Sequence, residues 1–142
     1  MLLVTGGLLV GCARSVEIAV PTPQPDEVEP CSAFTAALPP SLSTVGERRD
    51  VTPDSALTAA YGDPPVGIRC GVPVPEALGP TSTLVTVDDL QWFPEELSAG
   101  WRMTSIGRAA NVELTVPAEQ GPAPSVAADL APTIAATLPA AG

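Results

Sequence analysis

Through the middle of the chain, apolar residues alternate with polar or small ones, the two-residue period of a half-buried strand. In Val66-Gly67-Ile68-Arg69-Cys70-Gly71-Val72, Val66, Ile68, Cys70 and Val72 share one face, and Gly67, Arg69 and Gly71 share the other. Cys70 is thereby expected to point into a core. Leu84 to Val87 and Leu90 to Phe93 flank Asp88-Asp89, and a two-residue turn there sets Val87 opposite Leu90 and Val85 opposite Trp92. A second hairpin is expected from Trp101 to Ile106 through Gly107-Arg108-Ala109-Ala110 into Val112 to Val116, with Val112, Leu114 and Val116 inward and Glu113 and Thr115 toward water. Arg48 to Val51 reads as a further brief strand.

Elsewhere the period lengthens to that of a helix. Phe34, Ala37 and Leu38 stand at i, i+3 and i+4 in Ser32 to Leu38, which Pro39-Pro40 stops. Asp54 to Tyr61 reads as a helical turn with Asp54 at its N-cap. Near the end Val126, Leu130, Ile134 and Leu138 recur every fourth residue and form one apolar stripe. Pro132 lies inside that stripe and is expected to kink the helix or divide it. Together these segments predict an α+β fold, an antiparallel sheet of four or five strands covered on one face by short helices.

Two stretches near the start do not fit this pattern. Residues 13–30 hold four prolines, four acids and no aromatic residue, too little apolar surface to order themselves. They read as a disordered tether, reaching on the order of 50 Å when extended, with a single domain following over residues 31–139. Met1 to Gly11 is apolar throughout and carries no charge. As a helix it would rise only about 16 Å, roughly half of a bilayer's hydrocarbon core, so it cannot span as it stands. It ends in Leu9-Val10-Gly11-Cys12, which resembles the lipobox, where a diacylglycerol is attached to the cysteine and the chain is cut before it. Residues 1–12 are therefore expected to be a lipoprotein signal peptide ending at a lipidated Cys12. Signal peptides open on basic residues, and none precedes Cys12; a start upstream of Met1 would supply them. A longer membrane anchor beginning upstream and a cleaved signal without lipid are the alternatives.

Cysteine number bears on this reading. Three thiols leave one unpaired in an oxidising compartment, and lipidation of Cys12 would remove the odd one. Cys31 and Cys70 are then expected to form a disulfide outside the cytoplasm, closing a loop of nearly forty residues. Two buried free thiols are the alternative.

Charge and composition narrow the function. The 142 residues include sixteen acids, six arginines, no lysine and no histidine, for a formal charge of −10. Nucleic acid is excluded as a partner, because its phosphates call for a basic surface. Adsorption to anionic lipid is disfavoured for the same reason, so membrane attachment would come from the lipid on Cys12. Without an imidazole base or an amine, only carboxylate chemistry is open. The pairs Asp88-Asp89 and Glu95-Glu96 are sequence neighbours whose side chains diverge; the first reads as a turn and the second as a solvated loop or helix start.

No motif calls for a cofactor or a metal, and the expectation is a non-enzymatic module of the cell envelope that binds another envelope protein or a wall component. The alternative is a small-ligand or glycan site. Arg69 would meet an anion there, and Trp92 and Trp101 would offer ring faces to a sugar. Arg48-Arg49 is a second anion candidate. The bland reading pairs Arg69 with a nearby acid such as Asp63 and places the indoles in the core. An enzyme would need two acids from different segments to meet in a cleft.

Taken together, Cys31 at a short helix, the Tyr61-Gly62-Asp63-Pro64-Pro65 turn, Arg69-Cys70-Gly71-Val72, Gln91-Trp92-Phe93 and Gly107-Arg108 resemble the actinobacterial family named for domain of unknown function 3515. The resemblance runs over residues 31–139. The sequence departs from it at Tyr61, where the family tends to have Trp, and at Asp88-Asp89, where it tends to have Asn-Gly. The resemblance implies a secreted protein anchored by lipid or by a membrane segment, and it implies no catalytic residue.

Overall fold

The computed structural model describes residues 14–142, so Cys12 and the apolar leader lie outside the described residues. The elements in chain order are β1 (Val16–Glu17), α1 (Val28–Ala37), β2 (Ser41–Leu42), β3 (Gly46–Arg49), β4 (Val51–Thr52), β5 (Thr58–Tyr61), β6 (Val66–Val72), β7 (Val85–Val87), β8 (Leu90–Leu97), β9 (Gly100–Ile106), β10 (Asn111–Pro117), a 3-10 turn (Ala118–Gln120) and α2 (Ala123–Thr137). Eight strands form one antiparallel sheet in the order β2-β3-β5-β6-β10-β9-β8-β7, and β1 pairs with β4 apart from it. The class is mixed helix and sheet as expected, but the sheet is larger than the four or five strands expected.

The alternating segments take the register that their pattern dictates. Val85 faces Trp92, Val87 faces Leu90, and Asp88 and Asp89 turn between them with φ of 48° and 65°. Positive φ at both central residues is the turn that suits strand twist. A side chain there costs energy that glycine avoids, so Asp89→Gly is expected to raise stability by on the order of 1 kcal/mol in urea unfolding; no change in the midpoint would count against it. In β10, Val112, Leu114 and Val116 are buried against the helices.

One extra strand and one strand extension come from segments that read otherwise. Thr58–Tyr61 is a strand between β3 and β6, buried along its whole length, where the sequence suggested a helical turn. Its alanines favour a helix in isolation, and pairing on both sides overrides that preference. Pro94-Glu95-Glu96 continues β8, where a solvated loop or helix start was expected. Proline is tolerated because β7 ends opposite Trp92, which leaves that side of β8 an open edge. Glu95 is half-buried there and takes a two-pronged bond from Arg102 across the strand pair, at 2.9 and 3.1 Å. The hydrogen bond to Glu95 holds the Arg102 pKa above its ordinary value.

Both helices lie on one face of the sheet, as expected. Helix α1 starts at Val28, four residues before the predicted Ser32, because Pro30 falls in its first turn, where a missing N–H is harmless. Its Cys31 is bonded to Cys70 of β6 with the Cα atoms 5.4 Å apart, and both are fully buried. Helix α2 buries Val126, Leu130 and Ile134, with Leu138 buried at its C-cap, and continues through Pro132 rather than dividing there. Its carboxyl end is latched by Arg108, whose Nε donates to the Leu138 carbonyl at 2.7 Å. Near its middle, Asp129 accepts from Ser43 Oγ and the Thr44 amide, both at 2.9 Å. Burial works against that carboxylate's charge, but its bonds to Thr44 and Ser43 outweigh burial and hold its pKa below the ordinary value.

The expected tether is the largest correction. Residues 14–27 form a strap along the sheet face away from the helices. The Val16 and Ile18 amides donate to Asp50 and Thr52 carbonyls at 2.8 and 3.1 Å. Ile18 is buried over Gly67, Arg69 donates to the Ala19 carbonyl at 2.8 Å, and Pro23 rests on Gly71. The strap's own residues could not order it; partners more than thirty positions away do.

Candidate functional site

A predominantly apolar concavity lies at the end of the sheet where β8 turns into β9. Ser98 and Ala99 make that turn, and Gly100 closes it against β10: a Cβ there would run into the Val116 carbonyl, so no other residue lets the two strands approach so closely. Beyond the turn, Trp101 stands opposite Val116 on one side and Glu96 on the other. Those positions face the helices, but α2 begins only at Ala123 and leaves the last row of the sheet uncovered. A groove of about 730 Å³ remains between Leu97, Trp101 and Met103 of the sheet and Ala123 and Pro124 of the helix. Glu96 and Glu119 stand exposed at its rim.

This volume falls in the range of small-molecule sites. The walls are predominantly apolar and offer an apolar occupant area to cover, with two carboxylates beside it. Trp101 is 43 % exposed, the most prominent aromatic face on the described surface.

The candidate residues read from the sequence do not converge on one place. Trp92 is fully buried in the core, its Nε1 without a hydrogen-bond partner, so it cannot stack on a sugar. Arg69 points to the face away from the helices and is occupied by the Ala19 carbonyl and by Glu113 Oε1 at 3.0 Å. Its acid is Glu113, from the neighbouring strand. Asp63 stands 4.0 Å from Arg49 instead. Arg49 is itself spent on the carbonyls of Arg14 and Gly62 at 2.7 and 3.0 Å, which leaves Arg48 as the exposed member of that pair. Of Arg69, Trp92 and Trp101, it is Trp101 that lines the groove; Arg48 and Arg49 line other, less apolar hollows. Glu119, Ala123 and Pro124 were not legible as site residues, because the groove arises from where α2 begins and not from any motif.

No three Cys, Asp or Glu side chains cluster as a metal would need among the described residues, and no described helix is long and apolar enough to cross a membrane. No curated protein and no solved structure matches the chain. The family described as Protein of unknown function (DUF3515) matches residues 11–142, taking in the strap as well as the sheet and helices. The chain belongs to that family.

Proposed function

We propose that this chain is an exported envelope lipoprotein, anchored through a lipid on Cys12, whose domain is a non-catalytic module that binds an envelope component. The observation that carries the reading is the buried Cys31–Cys70 disulfide. A structural disulfide belongs to an oxidising compartment, and this one leaves Cys12 the single remaining cysteine, at the end of an apolar run with a lipobox-like close. The Trp101 groove is the surface on which binding is expected, since its apolar walls suit recognition and it offers no imidazole, amine or thiol for nucleophilic chemistry.

The mature amino terminus tests the anchor directly. Intact and peptide mass spectrometry of protein from the producing cell is expected to show loss of residues 1–11 and a diacylglyceryl group on Cys12. Cys12→Ser is expected to remain uncut and to lose the lipid. A mature protein that retains residues 1–11, or whose Cys12 thiol is free, overturns the reading.

A further inference from the structure

The groove and the chain's point of entry into the domain lie at the same end of the sheet. Strand β1 runs parallel to β4, away from that end, so the residues before Val16 lead back toward it. Arg49 fixes their course by holding the Arg14 carbonyl with one nitrogen and the Gly62 carbonyl, in the β5–β6 turn, with the other. In the same turn the Pro64 carbonyl accepts from Gln120 Nε2 at 2.6 Å, and Gln120 follows Glu119 at the groove's rim. From β5 to Trp101 on β9 is three strand spacings, about 14 Å. Cys12 precedes Arg14 by two residues, about 7 Å of chain at full extension.

The geometry points to a lipid bilayer as the surface that this end meets. With Cys12 acylated, no long tether intervenes, and Trp101 with the Ser98-Ala99 turn is held against the membrane and enters its interface. The inference rests on the lipoprotein reading and adds an orientation and a partner surface to it. An indole with one apolar face and one polar edge suits the headgroup boundary; Ala99, Ala118, Pro122 and Pro124 beside it carry no charge, and the exposed carboxylates of Glu96 and Glu119 at the rim stay in the hydrated headgroup layer. The contact is apolar: a chain of net charge −10 gains nothing from anionic lipid, and the covalent anchor supplies the local concentration that a small apolar patch needs.

Depth-dependent quenching tests this on the mature chain, Cys12 to Gly142. Its one thiol outside the disulfide is coupled to a maleimide-bearing lipid in phosphatidylcholine vesicles, so the orientation is tested whether or not cells acylate Cys12. Lipid brominated high on the acyl chain is expected to remove about half of the tryptophan emission, because one of the two indoles enters lipid and Trp92 stays in the core. Trp101→Phe is expected to abolish that quenching while leaving the fold's thermal transition in place. If brominated lipid leaves the emission unchanged, or acrylamide reaches Trp101 as freely on vesicles as in solution, the groove faces water and the inference is overturned. Failure of the lipoprotein reading shows separately, as an unmodified Cys12 in protein from cells.

Discussion

Replacing both Cys31 and Cys70 by alanine is expected to lower stability by about 2–5 kcal/mol, read as a shift of the urea midpoint. The bond joins residues 39 apart in sequence, and closing a loop of that length in the unfolded chain accounts for about 4 kcal/mol on chain-entropy grounds. A domain of this size has on the order of 5–15 kcal/mol in total, so the loss is a large share of what holds it folded. The structural role is specific. Helix α1 is ten residues long, too short to persist alone, and beside Phe34 and Leu38 the disulfide is its covalent hold on the centre of the sheet at β6. Using the double variant avoids leaving one thiol stranded in the core. Reductant should move the parent's midpoint toward the variant's and leave the variant's unchanged. A shift of the double variant below about 1 kcal/mol would mean that packing alone seats α1.

How much of this was legible in the sequence depended on where each element's order comes from. The Asp88-Asp89 hairpin and the inward row of β10 were readable because alternation and a two-residue turn fix their register locally. The disulfide was readable by counting thiols. Residues 14–27 were not, because their composition carries no apolar pattern: what orders them are the Asp50 and Thr52 carbonyls and the Arg69 guanidinium, each more than thirty positions away. Thr58–Tyr61 was misread for the same reason, since what makes it a strand is pairing with β3 on one side and β6 on the other, which only the fold supplies. The groove was half legible. Trp101 could be singled out as an aromatic, but whether it or Trp92 would be covered depended on where α2 begins, and nothing in the local pattern marks that.

Gly71→Val is expected to detach the strap, at a cost of about 3–4 kcal/mol. Gly71 is the extra residue of a bulge in β6: Cys70 pairs with Val112 and Val72 with Asn111, leaving Gly71 between them at φ 95°. A side chain in that region strains the backbone by about 1–2 kcal/mol. Its Cβ would also lie 2.5 Å from Pro23 Cβ, closer than two carbons can approach, so the strap must move. Once it lifts, Ile18 loses its cover over Gly67, and exposing such a side chain forfeits about 1.5–3 kcal/mol. Amide exchange separates this from a general loss of stability. The Val16 and Ile18 amides, bonded to Asp50 and Thr52, should exchange at near-unprotected rates in the variant, while those of β10 keep protection scaled only to the lower global stability. If Val16 and Ile18 stay protected to the same degree as β10, the strap is held without Pro23's seat on Gly71. The consequence reaches the membrane, because a freed strap becomes the tether that its prolines and acids suggest, on the order of 40 Å long. In the same coupled vesicles this variant should then lose the lipid quenching of Trp101 although Trp101 itself is unchanged, since what places that indole at the interface is the short, fixed path from Cys12 to the end of the sheet.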